Sequence, residues 1–132
     1  MTEKGKTPSE SAVVTRYLVM PQQANPKGTA FGGAIMGWID MVAALAAERH
    51  CRTEVVTAGI DSMSFKEPIR IGDHVVLHAS VNYVSRSSME VGVRVTRENP
   101  STGEKAIATT AHLTLGALDK DKKPIAAPPV LP

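Results

Sequence analysis

From Val75 onward the chain alternates. Val75, Leu77, Ala79, Val81 and Tyr83 take every second position, with Val76, His78, Ser80 and Asn82 between them. After a turn at Ser85 to Ser88, the residues Met89, Val91, Val93 and Val95 alternate with Glu90, Gly92, Arg94 and Thr96. Asn99-Pro100-Ser101-Thr102-Gly103 is a turn sequence, and beyond it Ile107, Thr109, Ala111, Leu113 and Leu115 share one face. Period-two patterning of this kind marks an antiparallel sheet with one face buried. Earlier in the chain, Glu54 to Phe65 is rich in β-formers and stops at Glu67-Pro68. Val13 to Met20 reads as a short first strand ended by Pro21. The later strands exceed the usual five or six residues, as a sheet that curls around something must.

Between the first two strands the period changes. Pro21 to Gly28 is a loop by its Pro, Asn and Gly content. Phe31 to Ala47 is then almost wholly apolar or Gly, and predicts a helix from near Gly32 to about His50, with Arg49 and His50 at its negative C-terminal end. This helix has no polar stripe, and a helix apolar all round is expected to be buried on all sides. In a chain this short the covering must come from a sheet that wraps it and from a second subunit. The expected fold is therefore α+β: a long buried central helix wrapped by a curved antiparallel sheet of about five strands. Residues 11–120 are expected to form a single domain. Residues 1–10 are polar and expected to be disordered, and the proline-rich residues 121–132 are expected to lie extended over the surface.

Composition narrows the function classes. A chain of 132 residues suits one domain, and a net charge of +2 gives no reason to expect nucleic acid or an acidic membrane surface as partner. The long apolar run is interrupted by Gly32, Gly33, Gly37 and Asp40, so no membrane span is expected. The N-terminal MTEKGKTPSESAV lacks the apolar core of a signal peptide. Cys51 stands alone, which excludes an intramolecular disulfide and fits a cytoplasmic location. His50, His74, His78 and His112 show no metal-ligand spacing, and no metal is expected.

Two features carry chemistry. Asp40 is a carboxylate in the middle of an apolar helix, costly to bury unless paired or hydrogen-bonded, and such groups gather at functional sites. The alternative is a packing residue bonded to a backbone amide or an arginine. The second feature is the helix start with its loop, Asn25-Pro26-Lys27-Gly28-Thr29-Ala30-Phe31-Gly32-Gly33. Glycines there allow close backbone approach, and free N–H groups at a helix N-terminus favour negative charge. Gly32 and Asp40 are separated by about 12 Å along the helix axis, from a 1.5 Å rise per residue. If both act on one group, they come from different subunits, with Asn25 and Gly33 from one chain and Asp40 from the other.

The segment MPQQANPKGTAFGGAIMGWID, with FKEPIRIGD after the second strand and Val84-Ser85-Arg86-Ser87-Ser88-Met89-Glu90-Val91 later, resembles the acyl-CoA hydrolase family of hotdog-fold thioesterases over roughly residues 13–130. The resemblance implies hydrolysis of fatty acyl-CoA to free fatty acid and coenzyme A, with no cofactor beyond coenzyme A as part of substrate and product. It also implies homo-oligomers built from hotdog dimers, the dimer being the minimal active unit and a hexamer, as a trimer of dimers, the usual assembly. By the same resemblance Asp40 acts as general base or nucleophile, Asn25 orients the water or the thioester, and the amide of Gly33, with Gly32, polarises the carbonyl oxygen. Arg86, Ser87 and Ser88 fall where family members contact coenzyme A, and an arginine suits a phosphate.

Two other functions share the fold. A hotdog acyl-thioester hydratase typically has a loop histidine, where this chain has Asn25. A non-catalytic acyl-CoA sensor would need Arg86 but not Asp40.

Overall fold

The computed structural model describes residues 5–131. Its elements are α1 (Pro8–Ser11), β1 (Val13–Leu18), a 3-10 turn (Pro21–Gln23), α2 (Gly32–Cys51), β2 (Glu54–Phe65), β3 (His74–Ser85), β4 (Ser88–Glu98) and β5 (Lys105–Leu118). The five strands form one antiparallel sheet in the order β1-β3-β4-β5-β2. Thus β2, next to the helix in sequence, ends up as an outer edge. The single long helix α2 touches all five strands, which is the expected α+β architecture.

The alternation sorts most side chains as the sequence predicts, but irregularities at Asn82 and Ala108 turn Tyr83 and Ile107, expected on the apolar face, outward to 58% and 45% exposure. Leu77, Val81, Val91, Val95, Leu113 and Leu115 are fully buried beneath α2 and meet Ile39 and Val42. Each such side chain contributes roughly 1.5–3 kcal/mol by leaving water. Ala43, Ala46 and Ala47 are also fully buried, and their small size lets the helix lie close to the sheet. At its C-terminus α2 ends where Arg52 turns left-handed (φ 60°) and its N–H bonds back to the Glu48 carbonyl.

Within one chain the helix is not buried on all sides, which fits the expectation that a second subunit supplies part of its covering. A single sheet covers only one flank, and Met36, Met41 and Leu45 on the other side are 43%, 57% and 37% exposed. The expected disorder of residues 1–10 does not hold for 5–10: Lys6 pairs with Val130, Pro8–Ser11 is helical, and Ser11 is buried with its Oγ accepting from the Val81 N–H at 2.8 Å. Residues 1–4 lie outside the described residues. The proline-rich tail is extended but does not simply lie on the surface, since Ala127 and Pro128 are buried. Pro132 lies outside the described residues. Among the described residues no helix is long and apolar enough to cross a membrane.

Candidate active site

Asp40 sits where the buried side of α2 meets its open side, and it is half-buried rather than enclosed. The hydroxyl of Thr57, on β2, donates to its Oδ1 at 2.8 Å. Among the described residues the carboxylate has neither an arginine partner nor a backbone amide partner, so the packing role open to it in sequence is not realised. Its Oδ2 has no partner among the described residues.

Thr57 was not singled out in the sequence, because a threonine is ordinary in a strand and its contact with Asp40 arises only in the fold. Thr57 pairs with Leu115 but Gly59 with Thr114, leaving Ala58 as an extra residue; a second irregularity falls between Ile60 and Ser62. Each bulge reverses the alternation, because a one-residue slip moves side chains to the other face. The positions opposite inward-facing β5 residues are therefore Val55, Thr57, Ile60, Met63 and Phe65, which no uniform period of two would select. Asp61, the extra residue of the second irregularity, turns to the outer face and accepts from Thr114 Oγ1 at 2.7 Å.

The loop before the helix is built on Asn25. Its Oδ1 accepts from the Lys27 N–H at 2.9 Å and the Thr29 N–H at 3.2 Å, and its Nδ2 donates to Thr29 Oγ1 at 2.9 Å. Gly28 within it has φ 84°, a conformation that favours glycine. The loop is tied down by Asn25 N–H to the Thr29 carbonyl, Ala30 N–H to the Ile69 carbonyl and Phe31 N–H to the Gln23 carbonyl. Phe31 is the N-cap of α2, and the first bonds back to its carbonyl come from Ala34 and Ile35. The N–H groups of Gly32 and Gly33 thus have no acceptor in the helix, and both glycines are exposed.

A groove of about 420 Å³ opens beside these amides, lined by Thr29, Ala30, Gly32, Ile35, Phe65 and Pro68 among others. Its far wall is fastened by Arg97, whose Nη2 donates to Glu67 at 3.0 Å and to Glu104 at 3.2 Å. Donation to Glu67, with that to Glu104, raises the Arg97 pKa above its ordinary value despite some desolvation.

Arg86 and Ser87 form the two-residue loop of the β3–β4 hairpin, closed by the Ser85–Ser88 pair. Ser88 pairs with Gly116, and Gly116 with Val56 of β2. Phe65, at the other end of β2, packs beside Gly32, where an added Cβ would lie 3.8 Å from the Phe65 ring. Val56 and Phe65 are nine residues apart, or about 30 Å at strand rise. One chain therefore brings Asn25, Gly32 and Gly33 together at one end, Asp40 with Thr57 further along, and Arg86, Ser87 and Ser88 at the opposite end.

The histidines contribute nothing to this constellation. His78 is paired with Arg94 on the outer sheet face, and partial burial together with that arginine lowers its pKa. His112 is paired with Gly92 of β4, so the two histidines do not oppose one another directly.

Comparison with known proteins bears on this geometry. The thioesterase superfamily matches residues 27–104. An uncharacterized acyl-CoA thioester hydrolase of Bacillus subtilis, YkhA, is 46% identical over 123 residues, which cover 93% of this chain and 72% of that protein. Among solved structures, an apo-hexameric acyl-CoA thioesterase superposes with a TM-score of 0.96 at 40% identity, covering 98% of this chain and 83% of that one. An acyl-CoA hydrolase from Staphylococcus aureus, solved with butyryl coenzyme A, coenzyme A and coenzyme A disulfide, gives a TM-score of 0.92 at 39% identity over 96% of this chain and 77% of that one. Alanine mutants of an aspartate, an asparagine and a threonine of the S. aureus enzyme have also been solved.

Proposed function

Because this chain belongs to the thioesterase superfamily, adopts the hotdog fold and is an acyl-CoA thioester hydrolase, we propose that it cleaves its substrate at a site shared by two chains, with Asp40 as the group that starts the reaction. The observation that carries this reading is the Asp40 carboxylate. One oxygen is held by Thr57 and the other has no partner among the described residues, beside an apolar surface that a single chain leaves open.

Activated by Asp40 Oδ2, a water oxygen bonds to the thioester carbonyl carbon while its proton passes to the carboxylate. The alternative is direct attack by Oδ2, forming an acyl-enzyme anhydride that water then opens. Either route develops negative charge on the carbonyl oxygen. The Gly33 amide, with that of Gly32, is suited to receive it. Collapse breaks the C–S bond and releases coenzyme A as thiolate, with the fatty acid as the other product. Asn25 orients the water or the thioester carbonyl from the loop. The scheme calls on no cofactor, since coenzyme A enters with the substrate and leaves as product.

The free edge of β2 supports the two-chain arrangement. A two-fold rotation about position 61 would carry position 65 of one strand to the level of position 57 of the other. The glycine amides and Asn25 of one chain would then approach Asp40 and Thr57 of its partner, and Arg86 of that partner would move toward the same end. The hexameric state of the solved relative supports a trimer of such dimers. We take residues 11–120 as the catalytic unit and the cytoplasm as its location, where Cys51 remains a free thiol. The three residue types altered in the S. aureus enzyme are those of Asp40, Asn25 and Thr57, which supports the same assignment.

The test is release of free thiol from a series of acyl-CoAs, wild type against Thr57→Val. Valine keeps the shape and removes the one O–H that orients Asp40. A hydrogen bond to a charged group contributes about 1.5–3 kcal/mol, so kcat is expected to fall about tenfold or more with KM little changed. An unchanged kcat would remove Thr57 from the mechanism. Wild type that releases no thiol from any acyl-CoA would contradict the proposed site as a whole.

A further inference from the structure

The chain's two terminal segments meet behind the β3–β4 hairpin. Lys6 and Val130 form a parallel bridge, in which the Lys6 N–H donates to the Pro129 carbonyl at 2.9 Å and the Leu131 N–H to the Lys6 carbonyl at 2.8 Å. Lys6 Nζ donates to the carbonyl of His50 at 2.6 Å, at the end of α2. His50 is fully buried, and its Nε2 lies 2.6 Å from the Pro128 carbonyl. A carbonyl only accepts, so Nε2 carries the proton. The other ring nitrogen, Nδ1, is buried without a partner among the described residues. His50 is therefore fixed as a donor to the tail, at the cost of one unsatisfied nitrogen.

The same tail grips the hairpin. Arg86 has φ 55° at the first central position of a two-residue hairpin loop, where glycine is the usual occupant. A side chain kept in that conformation must be restrained by its surroundings. Both loop carbonyls are taken from outside the hairpin: Arg86 O accepts from the Ala127 N–H at 2.8 Å and Ser87 O from the Ala117 N–H at 2.9 Å. Ala117 O in turn accepts from the Ile125 N–H at 2.9 Å. Ala127 is only 7% exposed, so its bond to Arg86 is shielded from water.

We propose that residues 125–131 are a positioning strap that, anchored by His50 and Lys6, holds the Arg86–Ser88 hairpin in the conformation that receives the phosphate groups of coenzyme A. The proposal rests on the reading of Arg86 as a phosphate contact. His50, Lys6 and Ala127 touch no substrate; they are positioning residues that act through Arg86.

The experiment compares His50→Leu, Ala127→Pro and Arg86→Ala with wild type on two substrates, an acyl-CoA and the same acyl group on pantetheine, which carries no phosphate. Ala127→Pro deletes the N–H to Arg86, and residue 127 already precedes a proline, a position biased to extended backbone. His50→Leu removes the anchor independently should the proline variant fold poorly, and oligomer size and thermal unfolding are recorded for each. The expected result is a KM for acyl-CoA raised about tenfold in all three variants, the size expected for one charge-assisted contact. The kcat stays within about twofold, and the pantetheine thioester is hydrolysed as by wild type. If Arg86→Ala shows this pattern and the folded strap variants do not, the strap is overturned and the Arg86 reading stands. If Arg86→Ala leaves KM unchanged, the Arg86 reading falls and the strap's role with it. Equal losses on both substrates would make the strap a stability element only, contrary to the proposal.

Discussion

Replacing Asp40 with alanine lowers kcat for acyl-CoA hydrolysis by at least about a hundredfold, the usual scale for loss of a general base or nucleophile. The substitution Asp40→Asn does nearly as badly, because the amide still accepts from Thr57 Oγ1 through its carbonyl oxygen but presents a donor where Oδ2 had been. The two substitutions should leave the fold unaltered. Asp40 is half-buried and holds no ion pair among the described residues, so nothing charged is stranded when it goes. Steady-state kinetics, with oligomer size and unfolding measured in parallel, separate this outcome from a loss of structure. A kcat within about threefold of wild type in a folded Asp40→Ala protein would return Asp40 to packing and shift the weight to the sensor reading.

Met41→Glu is expected to abolish assembly and activity together. Met41 is the most exposed of the large apolar residues on α2, and it lies on the side that the sheet of its own chain leaves bare. In an assembled dimer an unpaired carboxylate there would lose its water, at a cost of several kcal/mol. The single chain pays no such penalty, so far-UV circular dichroism should remain native-like. Sedimentation should report one chain, and thiol release should drop about a hundredfold or more because each site lacks half its residues. A folded single chain that kept wild-type turnover would show that one copy suffices.

These expectations depend on parts of the molecule that were unequally legible in the sequence. The β3, β4 and β5 alternation read directly over most of its length, where Val75, Leu77, Ala79 and Val81 all point inward, but irregularities at Asn82 and Ala108 break the phase and leave Tyr83 and Ile107 exposed. Asp40 stood out because a charge is costly in an apolar helix, and Gly32-Gly33 because a helix starts there. Thr57 did not, since a threonine in a β-rich run carries no mark of the contact with Asp40, seventeen residues away, that the fold creates. The helix was legible in part. A uniformly apolar surface says that everything becomes covered, not which covering comes from the same chain, and here the sheet supplies only one side. The terminal segments looked dispensable by composition. Their order comes from long-range backbone bonds, such as Lys6 with Pro129 and Ala127 with Arg86, which side-chain patterning does not encode.

The most direct test of the shared site is to mix two inactive proteins. Asn25→Ala and Asp40→Ala are prepared separately, dissociated and reassembled together, and thiol release is measured against each variant reassembled alone. If Asn25 and Asp40 of one site come from different chains, each mixed dimer contains one site with both residues intact and one with neither. With half the dimers mixed at equal input, activity should return to about a quarter of wild type. If both residues of a site come from the same chain, no mixture contains an intact site. Activity would then stay at the level of the single variants, contradicting a site built across two chains.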